Sequence, residues 1–255
     1  MIGIAAYSAV FSRNVAGLEE VPGILTGVSV EDEKTTGPCA AYAVRAFSGL
    51  NADPESLGLV CISGPSGSTV DAFDRAWQAA NGGTLTGPGF GPHRSKRIHP
   101  FTLVKSLQNQ VPAALSMKFG LKGPALNLLE ADSSLAHVLP NIEIMLQRCR
   151  AVALAMAAAG DRAEERIKLK SLDPGIRGLE GAACFLLTRE STLGYLEASE
   201  PVECEKTTSI ETGSCPPILE PAIGLLRCIA NKDRGRLLHL RDRHGHRTQL
   251  RWKGC

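Results

Sequence analysis

Residues 120–137 read Gly120-Leu121-Lys122-Gly123-Pro124-Ala125-Leu126-Asn127-Leu128-Leu129-Glu130-Ala131-Asp132-Ser133-Ser134-Leu135-Ala136-His137. Two glycines and a proline at 120–124 mark a turn. Ala125 to Glu130 is a short apolar run bounded by turn signals, which predicts a strand. Asp132-Ser133-Ser134 then opens a helix that runs to about Arg150, with Asp132 a good N-cap because its carboxylate accepts from the unsatisfied amides of the first turn. Strand, tight turn and helix in this order point to a layered α/β protein.

The same alternation extends outward. Residues 1–10 predict a first strand. Residues 38–49 predict a helix with Pro38 at its start and Gly49 past its end. Leu57 to Ile62 is a buried strand, followed by a break at Gly64-Pro65-Ser66-Gly67-Ser68. From Thr69 to Ala80, Val70, Phe73 and Trp77 recur on one helical face. Residues 100–119 carry an apolar stripe through Phe101, Val104, Leu107, Val111, Leu115 and Phe119, with Pro112 expected to kink or divide the helix. Ala151 to Ala157 and Ala182 to Thr188 predict strands, and Leu193 to Ser199 is expected to pair with the second of these. After a polar linker at 200–216 come an amphipathic helix at 218–230 and a closing hairpin, 236–241 with 247–252.

With 255 residues, 44% of them hydrophobic, the chain can build one sizeable core. Lys and Arg total 28 against 26 Asp and Glu, a formal net charge of +2, which gives no case for bulk binding to nucleic acid. The eight cysteines never stand in C-x-x-C spacing; most are expected to be reduced core residues of a cytoplasmic protein. A zinc site from Cys204 and Cys215 is a minor alternative. No apolar run is long enough to span a bilayer, and the N-terminus lacks a signal-peptide pattern. Ser63-Gly64-Pro65-Ser66-Gly67 has Pro65 where a nucleophile elbow needs a tight turn, and no phosphate-loop lysine follows. No cofactor is expected.

His99-Pro100-Phe101-Thr102 before a long helix, then Gly120 to Pro124, a strand and a turn into a helix resembles the β-ketoacyl synthases. Asp173-Pro174-Gly175-Ile176-Arg177-Gly178-Leu179-Glu180-Gly181-Ala182 agrees with the family's Asp…Arg-x-Gly…Glu-Gly-Ala segment, and Glu220 to Trp252 with its last helix and hairpin. The resemblance implies a thiolase-like layered αβαβα fold with a shortened second half: residues 1–200 as a ketosynthase-like half and 201–255 as a remnant of the other. In the family, the turn after the strand carries a nucleophilic cysteine whose thiolate is stabilised by the helix terminus. Here that position falls on Asp132, with Ser134 and His137 where the family often has Ser and His. The His-Gly-Thr-Gly-Thr and Gly-His contexts that complete an active synthase do not occur. His244-Gly245-His246 reads as a turn.

A nucleophile replaced and histidines lost is the pattern of the family's chain-length factors. That resemblance implies a catalytically silent subunit of a type II polyketide or aryl polyene synthase. Its partner would be an active ketosynthase, which supplies the cysteine and histidines and receives malonyl units on an acyl carrier protein. The growing polyketide would extend into a shared tunnel, with Ser66, Thr69, Phe73 and Trp77 setting its depth. Leu126, Leu128, Leu129, Leu107 and Val111 are the candidates for burial against the ketosynthase, and the basic stretch 93–97 could meet the carrier protein. Two alternatives stay open. One is an independent acyl-thioester hydrolase or decarboxylase using Asp132 and His137, for which His137 as a core or interface residue is the plainer role. The other is a self-associating scaffold without a tunnel.

Overall fold

The computed structural model describes residues 1–30, 36–63, 107, 109–129, 134–159, 179–199, 219–232, 235–241 and 247–255. Nine strands form one mixed sheet: β1 (Ile2–Phe11), β2 (Ile24–Leu25), β3 (Leu57–Ser63), β4 (Ala125–Leu129), β5 (Ala151–Ala158), β6 (Gly181–Thr188), β7 (Gly194–Ser199), β8 (Arg236–Arg241) and β9 (Arg247–Gly254). Their spatial order is β4-β3-β5-β6-β1-β7-β9-β8, with β2 beside β1. β3 pairs parallel with both β4 and β5, and β5 pairs antiparallel with β6. Four helices are described: α1 (Pro38–Phe47), α2 (Gln110–Phe119), α3 (Ser134–Met145) and α4 (Leu219–Ala230).

The helix ends follow local chemistry. Pro38 sits in the first turn of α1, where its missing N–H costs nothing. Helix α2 begins at Gln110, so Pro112 falls in its first turn, where a proline is tolerated; the stretch 100–106 of the segment that Pro112 was expected to kink or divide lies outside the described residues. At the other end Gly120 adopts φ 65°, and its N–H and that of Leu121 both reach the carbonyl of Ser116. A left-handed residue here closes the helix at little cost only because it is glycine. Helix α3 stops at Met145 and gives way to a turn at 146–148, short of the expected Arg150.

Alternation along the central strands separates two cores. Val152, Leu154 and Met156 face a cluster with Ile2, Phe11, Phe185, Trp252, Leu135 and Ile142 of α3, and Ile223 and Leu226 of α4. Ala153, Ala155 and Ala157 face the opposite cluster with Leu57, Leu59, Cys61 and Cys184, under Tyr42 and Phe47 of α1 and Leu115 of α2. The alanines keep the strand surface low, so α1 can lie close upon it. Phe47 and Phe119 meet at 4.6 Å between ring centroids and tie α1 to α2. Helix α4 touches β5 and β6 and also β8 and β9, while α3 touches β1, β3 and β9. Two stretches of one sheet path therefore enclose α3 and α4. From outside to inside the layers are α1/α2, strands, α3/α4, and then the strands of the C-terminal hairpin.

One expected pairing is wrong. β7 does not pair with β6; β1 lies between them, antiparallel to both. The connection at 189–193 steps over β1 rather than forming a hairpin. Leu193 N–H and the Ser191 hydroxyl both donate to the Ile4 carbonyl, at 3.1 and 3.0 Å, and Thr192 Oγ1 donates to that of Ala5 at 2.9 Å. The ladder between β1 and β6 shifts register at that point, between Ile4 and Ala6. An irregularity of this kind turns backbone carbonyls out of the ladder and leaves them for such a crossing.

Candidate functional site

β4 is the strand on which the functional question rests. Its register against β3 runs from Leu59 opposite Ala125 to Ser63 opposite Leu129. It ends the sheet, and among the described residues no strand lies on its far side. Leu59 N–H donates to the Pro124 carbonyl at 2.9 Å. Because successive residues of a strand direct their backbone groups to opposite sides, the groups of Ala125 point away from β3. The side chains of Leu126 and Leu128 face the α3 core but are only half-buried, and Ala125 is exposed. An apolar strand with an open edge is a template for pairing with another chain.

At the C-terminal end of the β3–β4 pair lies one polar contact that the sequence did not signal. Ser63 is 2% exposed in an otherwise apolar strand, and its hydroxyl donates to Asn127 Oδ1 at 3.5 Å. The buried Ser63 hydroxyl is worth its desolvation only when hydrogen-bonded, and the half-buried Asn127 amide of β4 supplies the acceptor. They fix β4 against β3 where the chain leaves for the turn to α3.

The remaining candidates divide. Leu107 is 53% exposed, ahead of α2. Val111 is 2% exposed and packs into the α1/α2 core, so its apolar surface is already covered within the chain. His137 is exposed, so of its two expected roles, core or interface, the chain by itself does not bury it in the core. The buried face of α3 is built from Leu135, Val138, Leu139 and Ile142, and position 137 falls off it. The backbone of Leu129 belongs to β4. Asp132, Ser66, Thr69, Phe73, Trp77, the stretch 93–97, His244 and His246 lie outside the described residues. So do Cys204 and Cys215, and no cluster of metal-ligating side chains occurs among the described residues. No described helix is long and apolar enough to cross a membrane.

Four of the six described cysteines behave as expected of core residues; Cys149 is half-buried and Cys255 exposed. Cys39, Cys61, Cys184 and Cys228 are buried. Burial pushes the Cys61 thiol well above its ordinary range, with Cys184 and Cys39 nearby adding to the effect, and burial does the same to Cys184. Neutral thiols of this kind are packing groups and not nucleophiles.

No family model matches the sequence, and no curated protein does. Solved structures do match. A chain of the structure of a ketosynthase (ApeO) in complex with its chain length factor (ApeC) from Xenorhabdus doucetiae superposes with a TM-score of 0.62 at 11% identity, over 99% of this chain and 98% of that one. A chain of the ishigamide ketosynthase/chain length factor superposes with a TM-score of 0.61 at 14% identity, over 99% of both. At such identities the likeness establishes the fold. This chain has the thiolase-like, layered α/β fold of those chains, and the correspondence runs nearly end to end in each pair.

Proposed function

We propose that this chain is the silent, chain-length-factor-like subunit of a ketosynthase complex, and that it joins an active ketosynthase through β4. The observation that carries the proposal is the apolar edge of β4, which no strand among the described residues covers, in a fold shared with chains of two ketosynthase and chain length factor structures. A partner strand added there would take up the outward backbone groups and cover Leu126, Leu128 and Leu129 in one step. Leu107, already exposed, would be covered with them; Val111 takes no part.

The sequence supports catalytic silence. Asp132 stands where a ketosynthase has its cysteine, and a carboxylate is a poor acyl-transfer nucleophile because its mixed anhydride is a high-energy acyl donor. The partner would contribute the cysteine and histidines, and this subunit would contribute tunnel wall. Ser66, Thr69, Phe73 and Trp77 are the proposed lining, with side-chain bulk limiting how many two-carbon units fit. The acyl carrier protein would be reached through the complex. Independent acyl-thioester hydrolysis by Asp132 and His137 draws no support from His137, which is exposed on α3.

The test is co-expression with a candidate ketosynthase, for the natural chain and for Ala125→Pro. Proline at 125 removes an N–H that points away from β3, so the intramolecular ladder survives while an added strand loses a bond and meets the ring. Co-elution of the natural chain in equimolar amount is expected. Ala125→Pro should weaken the complex at least about tenfold, the equivalent of roughly 1.4 kcal/mol, with little change in the subunit's own melting temperature. A soluble monomer with no affinity for any ketosynthase would overturn the proposal, as would an Ala125→Pro chain that pairs normally.

A further inference from the structure

At the end of the sheet where β5 begins and β6 finishes, two turns place three arginines around one depression. Arg148 and Arg150 come from the link between α3 and β5, and Arg189 from the turn after β6. The depression encloses about 670 Å³. All three guanidinium groups are on exposed residues. Among the described residues of the lining Glu190 is the one acidic residue, so they carry a formal charge of +2.

Arg189 is held in place. Its Nε–H donates to the carbonyl of Leu146 at 2.9 Å, which satisfies a backbone acceptor just past the end of α3. That contact explains one arginine and leaves two. Among the described residues no carboxylate forms an ion pair with Arg148 or Arg150. The threonines in the wall are committed as donors, Thr188 to the Glu190 carbonyl and Thr192 to that of Ala5. Whatever the depression binds is therefore met by guanidinium forks and not by hydroxyls. Such forks match the tetrahedral oxygens of a phosphoryl group, to which each can donate twice.

We propose that Arg148, Arg150 and Arg189 form a binding site for a small molecule bearing a phosphate or pyrophosphate group. The site lies at the N-terminal end of β5, whereas the turn from β4 to α3 leaves the C-terminal end of the parallel strands. It is independent of the subunit role proposed above.

Isothermal titration of the whole chain with inorganic pyrophosphate tests the proposal. Saturable binding at one site is expected, weakening as salt rises because the contacts are ionic. Arg148→Gln/Arg150→Gln is the chosen variant, since Arg189 also supports the turn at Leu146. It should weaken binding at least tenfold while the melting temperature holds. If that variant fails to fold, Arg148→Lys/Arg150→Lys keeps the charge and removes the forks, and a several-fold loss is expected. No saturable binding, or equal binding by the variants, would overturn the proposal. Binding of polyglutamate without binding of pyrophosphate would also overturn it and assign the patch to an acidic protein surface.

Discussion

Replacing Gly123 with alanine puts a methyl group where β3 already stands. A Cβ at 123 would overlap the Leu57 carbonyl oxygen, with the carbonyl carbon at 2.7 Å and the Gly58 nitrogen at 3.1 Å. Carbon atoms in contact rest at about 3.5 Å, so the two backbones must separate by roughly 0.8 Å. β3 has no room to give way, because it lies between β4 and β5 and all seven of its residues are buried. The displacement falls on β4 and on the 2.9 Å bond from Leu59 N–H to the Pro124 carbonyl. Overpacking of this kind costs about 2 kcal/mol and a weakened buried hydrogen bond about 1 kcal/mol, together about 3 kcal/mol. For a chain of this length that lowers the melting temperature by roughly 10 °C. Gly120→Ala is the control. A Cβ there meets nothing within 4 Å, and only the left-handed backbone is penalised, at about 1 kcal/mol. Thermal unfolding followed by circular dichroism compares the two variants, and co-elution with a ketosynthase reports on the β4 edge. The reasoning fails if Gly123→Ala melts no lower than Gly120→Ala.

Two further predictions concern the core. Trp252 of the closing hairpin is 1% exposed and packs in the α3/α4 core with Ile2 and Leu226; Trp252→Ala should cost about 4 kcal/mol in urea unfolding, and a loss below about 1 kcal/mol would show the hairpin to be peripheral. The buried thiols give a pH dependence. Cys61 and Cys184 are raised above the ordinary 9.0 in the folded chain, so above pH 9 the unfolded chain releases protons that the folded chain retains. Stability should be unaffected by these groups below pH 9 and fall above it, by up to about 2.7 kcal/mol per pH unit for the pair. The burial that raises Tyr7 and Tyr42 adds to the decline above pH 10. In parallel, exposed Cys255 should react quickly with a thiol reagent at pH 8, while Cys61 and Cys184 react only on unfolding; rapid labelling of Cys184 in the folded chain would contradict its burial.

Most elements were legible because their signals are local. Pro38 and Gly120 mark helix ends through backbone geometry that no distant contact alters. Leu57 to Ile62 and Ala151 to Ala157 read as buried strands because a run buried on both faces has no polar alternation to misread. Helix α2 begins at Gln110, two residues before Pro112, and the earlier part of the apolar stripe, 100–106, lies outside the described residues. Helical periodicity from Leu135 through Val138, Leu139 and Ile142 places His137 off the face of α3 buried within the chain, which leaves the interface half of its expected role standing.

Strand pairing was the part that tertiary structure alone decided. Leu193 to Ser199 follows β6 closely enough to suggest a hairpin, yet the Ile4 and Ala5 carbonyls draw the connection across β1. Those carbonyls lie some 190 residues earlier in the chain, beyond the reach of any local pattern. The open edge of β4 is of the same kind. The sequence specified an apolar strand between a glycine turn and a helix, from residues that adjoin one another. Whether that strand would be covered or exposed depended on the order in which nine strands assemble, and that order is set by long-range contacts whose energies exist only once the sheet is formed.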